Sequence, residues 1–382
     1  MKIVIAIDSL KGSLSSIEAG GAIKDGIKKS GIDAEVTIRP LADGGEGTVE
    51  ALIYGMGGKK QQVEVTGPMQ KMVLCEYGIS KENKTAIIEM SGAAGITLVN
   101  SEERNPLKAT TYGVGEVIKD AIKKGCRKFI IGIGGSATND GGVGMLQALG
   151  YNFLTKTGEE ISKGAQGLEF LAEIKSDNVI PELKECEFKI ACDVTNPLCG
   201  ADGASAVYAP QKGATPAMIE KMDMWLAQYA ELSKTQFSNA DSEIAGTGAA
   251  GGLGFAFLTF TNTKLESGIK IVLEETGLEK YIKDADVVIT GEGRLDSQTA
   301  MGKAPIGVAK LAKKYNKIVI AFAGSVSDDA HVCNEHGIDA YFPILRKIQT
   351  LDEAMKTEQA RNNLCDTVEQ VFRVMKICNK NK

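Results

Sequence analysis

KFIIGIGGSATNDGG, residues 128–142, runs from an apolar segment into a cluster of glycines. Phe129 to Ile133 has the length and composition of a buried strand. Gly134, Gly135, Gly141 and Gly142 follow it, with Ser136, Thr138, Asn139 and Asp140 among them. Glycine lets backbone N–H groups approach an anion with no Cβ in the way, and a helix starting near Gly142 would add its positive end. Small hydroxyls and an amide suit phosphate or sugar oxygens. The same composition also serves a βα turn whose glycines only permit close packing. The loop therefore has two readings, a phosphate cradle and a packing turn.

Around this stretch the chain is an ordinary globular one with a preference for tight turns. Its 382 residues exceed one average domain and point to two, with lobes interleaved in sequence. Hydrophobic residues make up 43% and charged residues 24%, enough apolar material for a sizeable core. A net charge of −5 gives no basic footprint for nucleic acid or for a membrane surface. The opening MKIVIAID is too short for a signal peptide, and no window reaches the ~18 apolar residues of a membrane span. The 8 cysteines lack CxxC spacing and there are only 2 histidines, so reduced buried thiols in a cytoplasmic protein are expected. A zinc site or a histidine-based triad is not.

Both ends of the chain read as strand, loop, helix. A strand at 2–7 precedes DSLKGSLSS and a helix over 16–29 that Gly31 closes; a strand at 34–38 precedes PLADGGEGT and another helix. This βαβα order is the signature of a parallel sheet with crossover helices. Alternation at 61–65 and 85–90, on either side of Gly67-Pro68, marks a change of domain near 68. A helix over 111–124 leads to the central strand, and residues 151–187 read as a peripheral section. A strand at 188–192 and a helix over 215–233 carrying Trp225 come next. A second glycine cluster, 246–254, leads into the apolar run 255–260. Strand signals at 286–290 and 317–323 and a last helix over 351–377 complete the chain.

Five acids stand just beyond apolar runs: Asp8, Asp43, Asp140, Asp193 and Asp296. In parallel sheets ligands bind beyond the carboxyl ends of strands. A single acid there is commonly a helix cap, whereas five with Gly, Ser, Thr or Asn neighbours suggest a site. Lys11, Lys212, Arg294 and Lys303 share these loops. Carboxylates, cations and glycine-lined backbone are the parts of phosphoryl transfer, which is mostly positioning and charge neutralisation around a metal-bound polyphosphate. GxxxxGK[ST] is absent, so the cradle is not a P-loop, and no GxGxxG follows the first strand.

Together DSLKGSLSS, PLADGGEGT, GIGGSATNDGG, ACDVTNPLCG, GAAGGLG and TGEGRLDSQT resemble the bacterial glycerate kinase type I family over essentially the whole length. The resemblance implies transfer of a phosphoryl group from ATP, with Mg²⁺, to D-glycerate, giving 2-phosphoglycerate. It also implies two α/β domains. One is flavodoxin-like and built from both chain ends, 1–68 and 285–382; the second is inserted at 69–284, with the active site in the cleft between them.

The resemblance leaves the individual roles open. Asp193, Asp296 and Lys11 are the catalytic candidates, with Asp193 and Asp296 also the candidate metal ligands. Asp8, Ser9, Asp43, Lys71 and Arg294 are candidates for binding substrate; a carboxylate substrate favours the Arg294 fork or the Lys71 ammonium. Gly134, Gly135, Ser136, Thr138, Asn139, Asp140, Gly291 and Glu292 are the candidates for nucleotide phosphate. Formation of 3-phosphoglycerate, a kinase of another small hydroxy acid, and a non-catalytic sensor of sugar acids or nucleotides are the competing readings.

Overall fold

A computed structural model describes residues 1–42 and 44–380, with side chains through Cys378; the candidate Asp43 lies outside the described residues. The strands in chain order are β1 (Lys2–Ile5), β2 (Glu35–Ile38), β3 (Gly58–Thr66), β4 (Met72–Ser80), β5 (Thr85–Glu89), β6 (Lys128–Gly132) and β7 (Asn152–Leu154). They continue as β8 (Glu173–Lys175), β9 (Glu187–Ala191), β10 (Thr263–Glu266), β11 (Val287–Leu295), β12 (Ile318–Val326) and β13 (Ala340–Pro343). The chain divides into two compact units: Met1–Asp43 with Glu50–Met56 and Ile269–Lys382, and Gly44–Val49 with Gly57–Gly268.

In the first unit an all-parallel sheet has the order β13-β12-β11-β1-β2. Counted along the chain within this unit, that is 2-1-3-4-5, the flavodoxin order, in which the ligand crevice opens beyond the first and third strands. The helix Ser16–Ser30 forms where the sequence signals it. Ser15 and Glu18 make a capping box, Ala19, Ile23 and Ile27 are buried, and Gly31 ends the helix at φ +69°. It lies along the helix Thr357–Lys380, where Gly26 lets Cys365 and Val368 approach closely. Ile3, Ile5, Ile289, Phe322, Leu364 and Phe372 fill the core between them, each full burial worth ~1.5–3 kcal/mol.

The second unit holds a six-stranded sheet, β10-β9-β6-β5-β4-β3. β5, β6, β9 and β10 run parallel, while β3 and β4 form an antiparallel hairpin at the edge. Phe129 of β6 stacks on Phe188 of β9 with centroids 4.7 Å apart. Helices Tyr112–Lys123 and Pro216–Lys234 bury their apolar stripes in the same core, Trp225 among them.

Several boundaries differ from the sequence expectation. The chain crosses between units at 43/44, 49/50, 56/57 and 268/269, where the sequence expectation has crossings near 68 and 285. Gly67 does not mark the crossing because it is the tight turn of the β3–β4 hairpin, where its N–H donates to Lys71 O at 2.7 Å. Residues 151–187 are not peripheral: Phe153, Ile161, Leu168 and Ile174 belong to the core of the second unit. The run 255–260 is the end of a helix, Ala249–Phe260, interrupted by left-handed backbone at Ala250, Gly251 and Gly252. The C-terminal helix is two, Leu351–Ala354 and Thr357–Lys380.

Candidate active site

In the second unit, the loop beyond β6 divides into two halves with different physics. Gly134 and Gly135 are exposed. A Cβ on Gly134 would meet nothing nearer than Gly45 Cα at 3.6 Å, so internal contacts do not demand glycine there. The loop is pinned from behind, since Ile96 N–H donates to Gly135 O at 2.8 Å and Ala137 N–H to Ala94 O at 2.9 Å. The N–H groups of Gly134, Gly135 and Ser136 donate to no acceptor among the described residues. Gly141 and Gly142 face inward instead. A Cβ on Gly142 would overlap Ala256, and one on Gly141 would press on Leu226 and Tyr229 at 3.0 Å. The packing reading thus fits the inner half, while packing gives no account of the glycine at 134.

The inner half is organised by Asp140. This carboxylate is 1% exposed and accepts four bonds, from Thr111 N–H (2.8 Å), Thr111 Oγ1 (2.9 Å), Gly142 N–H (3.2 Å) and Gly144 N–H (3.3 Å). Burial raises its pKa, and these donors oppose the rise. Asp140 therefore also satisfies the start of the helix Val143–Ala148, whose positive end is spent on an internal carboxylate. Thr138 and Asn139 are wholly buried too, Asn139 Nδ2 donating to Ser205 Oγ at 2.9 Å. Thr138, Asn139 and Asp140 are thus enclosed, and the accessible part of the loop is Gly134 and Gly135, with Ser136 8% exposed beside them.

Lys212 lies behind that exposed end. It is 2% exposed, and its Nζ donates to Ser136 Oγ at 2.8 Å and to Thr138 O at 2.6 Å. Burial lowers its pKa to about 7, against the attraction of Asp140. Sequence reading placed Lys212 among the loop cations without a role, because its partners lie 76 and 74 residues away. Glu89, at the end of β5, was missed altogether. Its carboxylate accepts the N–H of Val49 at 2.8 Å and is raised in pKa by burial, opposed by the backbone N–H groups of Val49, Gly47 and Thr48.

Asp193 follows β9, the strand beside β6, and is exposed. Its Oδ1 accepts Gly268 N–H at 3.0 Å. The neighbouring Asn196 does not orient it: that amide donates to Asp202 O at 2.7 Å and accepts from Tyr208 at 2.6 Å. Lys71 sits apart, on the β3–β4 turn, with its side chain 79% exposed and Glu103 3.8 Å away.

In the first unit the structure gathers the remaining candidates beyond β1 and β11, adjacent strands at the reversal of strand order. Asp8 is buried, its N–H donating to Gly291 O at 3.0 Å, and its Oδ1 accepts Ser9 N–H at 2.6 Å. Gly291 serves packing, since a Cβ there would overlap the carbonyl oxygen of Phe322. Glu292 accepts from Thr299 Oγ1 at 2.6 Å; burial raises its pKa, while Lys303 and Lys11 pull it down. Asp296 caps the helix Ser297–Ala300 by accepting Thr299 N–H at 3.1 Å, and Arg294 Nε stands 3.7 Å from its other oxygen. Lys11 and Arg294 are exposed. This half-exposed set joins fixed carboxylates to exposed cations, a combination suited to a small anionic substrate.

Comparison with known proteins decides what these loops belong to. The model of the glycerate kinase family matches residues 3–376. The chain belongs to the glycerate kinase family. It is 50% identical to the glycerate 2-kinase of Escherichia coli, over 96% of this chain and 95% of that one. It is 48% identical to a glycerate kinase of Haemophilus influenzae, over 98% and 99%. The crystal structure described as glycerate kinase 2 from Salmonella typhimurium LT2 superimposes with a TM-score of 0.91 at 47% identity, covering 100% of this chain and 99% of that one.

Membership in the glycerate kinase family makes the chain an enzyme, a phosphotransferase with ATP as a substrate and a small molecule as the other, and it closes the sensor reading. Among the described residues no helix is long and apolar enough to cross a membrane.

Proposed function

We propose that the chain transfers the γ-phosphoryl group of ATP to the 2-hydroxyl of D-glycerate, giving 2-phosphoglycerate. The observation that carries the reading is the run of N–H groups on Gly134, Gly135 and Ser136, without acceptors among the described residues and at a strand end where Gly134 and Gly135 are exposed. Such a run is a cradle for phosphate oxygens, and in phosphoryl transfer preorganised donors of this kind account for much of the rate. The 2-position is supported by the Escherichia coli relative, which carries the name glycerate 2-kinase at 50% identity.

Phosphoryl acceptance by an alcohol requires loss of the hydroxyl proton. Asp193, held at a strand end through Gly268 N–H, is the carboxylate proposed either to receive that proton or to hold the metal ion. Arg294 is proposed to take the glycerate carboxylate, because its present partner Asp296 is a loose one at 3.7 Å and leaves the guanidinium available for a bidentate pair. Lys11 adds positive charge beside Glu292 in the same unit.

Mg²⁺ is expected with the nucleotide. It keeps several waters and takes only one or two protein carboxylates plus phosphate oxygens. Among the described residues no group of three metal-ligating side chains converges, and Asp193 and Asp296, each taken within its own unit, are the carboxylates proposed for that sparse demand. When bound, the ion supplies charge neutralisation on the phosphates.

The test is release of ADP with D-glycerate, L-glycerate, glycolate and tartronate in turn, with and without EDTA. Proton-coupled ³¹P NMR of the product follows. A phosphate on C2 couples to one proton and gives a doublet, whereas one on C3 gives a triplet. Turnover of another acid in preference to D-glycerate overturns the substrate, a triplet overturns the position, and undiminished rates in EDTA overturn the metal.

A further inference from the structure

The phosphate loop has a buried cation behind it that no sequence motif announces. Lys212 reaches it from the turn Pro210–Lys212 and spends two of its three protons on Ser136 Oγ and Thr138 O. Because Ser136 Oγ accepts from Lys212, its own hydroxyl proton is left to point elsewhere. The loop that Lys212 grips is the one whose N–H groups at Gly134, Gly135 and Ser136 have no acceptor among the described residues. Two further polar atoms beside that grip, Thr138 Oγ1 and Asn139 Oδ1, are buried without hydrogen-bond partners among the described residues. The N–H groups and the Lys212 ammonium thus concentrate donors and positive charge at one end of a strand, with only neutral oxygens as the hydrogen-bond partners of that ammonium.

We propose that Lys212 is a positioning residue for the phosphate cradle, and that it takes up a proton when a polyphosphate binds at Gly134–Ser136. The inference rests on the reading of that loop as the phosphate site. Without an anion, a buried ammonium has only neutral oxygens as hydrogen-bond partners and the carboxylate of Asp140 as a counter-charge. Near neutral pH it is poised to lose its proton. A bound phosphate adds negative charge on the other side of Ser136 and favours the protonated form, so affinity and protonation are linked.

The groups around Lys212 leave little else to titrate. Asp140 attracts its charge but is committed to Thr111, Gly142 and Gly144. Arg104 shares the small space lined by Met69, Asn105, Ala137 and Lys212. Ser136, Thr138 and the apolar Ile96 and Val99 complete the surroundings.

The experiment is isothermal titration of ATP into the wild-type enzyme at pH 8 in buffers of different ionisation enthalpy, repeated with Lys212→Met and Lys212→Arg. The expected result is uptake of roughly half a proton or more by the wild type, with affinity falling by up to about tenfold per pH unit above 7. Lys212→Met should bind ATP about 10–100-fold more weakly with uptake abolished, and Lys212→Arg should bind without pH dependence over the same range. Wild-type binding with no uptake, or uptake that survives in Lys212→Met, overturns the role of Lys212 while leaving the phosphate reading standing. Unchanged affinity on Gly134→Val overturns the phosphate reading itself, and this proposal with it. The wild-type measurement decides the matter even if a variant fails to fold.

Discussion

Gly134 and Gly142 stand eight positions apart in one loop, yet the structure demands opposite outcomes when each receives a side chain. At Gly142 the backbone is left-handed, φ +74°, and a Cβ would overlap Ala256 and press on Leu253 Cδ1 at 3.1 Å. Left-handed backbone costs alanine ~1–2 kcal/mol, and overpacking a core adds ~1–3 kcal/mol. The lost flexibility of the unfolded chain returns only ~0.4–1 kcal/mol. Gly142→Ala should therefore lose about 2–4 kcal/mol, a large part of the ~5–15 kcal/mol that holds a domain folded. At Gly134 the backbone is not left-handed and the nearest atom is 3.6 Å away. Gly134→Val should leave stability within about 0.5 kcal/mol and instead lose ATP affinity. Each charged hydrogen bond to a phosphate oxygen is worth ~1.5–3 kcal/mol, or about 10–150-fold in affinity. Gly135 is the poorer test position because at φ +72° any side chain is strained. Urea titration followed by fluorescence reads the stability directly, since Trp225 is the only tryptophan and lies in the core of the same unit. A Gly142→Ala protein as stable as wild type, or a folded Gly134→Val protein with unchanged ATP affinity, would refute the division of the loop into a packing half and a binding half.

Three further outcomes follow from the geometry. Asp140→Asn places an amide donor among four donors and should destabilise the second unit by about 2–4 kcal/mol, read as a lowered urea midpoint; an unshifted midpoint contradicts its organising role. The Lys212 ammonium is lowered from 10.5 to about 7 in the folded protein, so between these values the unfolded chain binds the additional proton and wild-type stability rises with pH. Lys212→Met should gain most relative to wild type below pH 7, with the difference shrinking by up to ~1.4 kcal/mol per pH unit towards 10.5; a difference that stays constant across pH 7–10 contradicts the depressed pKa. Asp193→Asn preserves the acceptor for Gly268 N–H, and turnover should fall by roughly 10²–10⁴ with ATP affinity retained if Asp193 is the base. A steeply raised Mg²⁺ requirement marks it as a metal ligand instead, and near-normal turnover removes it from the chemistry.

The sequence by itself determined the architecture of the two chain ends and the address of the loops. Helical stripes, caps such as Ser15 with Glu18, and apolar runs ending in Gly and Asp are properties of near neighbours, and near neighbours are what a sequence displays. The six motifs likewise sufficed for the family. Tertiary structure alone decided what the shared residue types do. Glycine at 134 and glycine at 142 look alike in sequence, and only the atoms opposite them, open space or Ala256, separate exposure from packing. Asp140 and Asp193 both follow apolar strands, but one is enclosed by four donors, two of them on Thr111, 29 residues earlier, while the other is exposed. Lys212 reads as one more loop cation until the fold brings it to Ser136, 76 residues earlier. Burial and partnership across such separations depend on how the whole chain closes, because desolvation and hydrogen bonding act through space, and no local spacing encodes them.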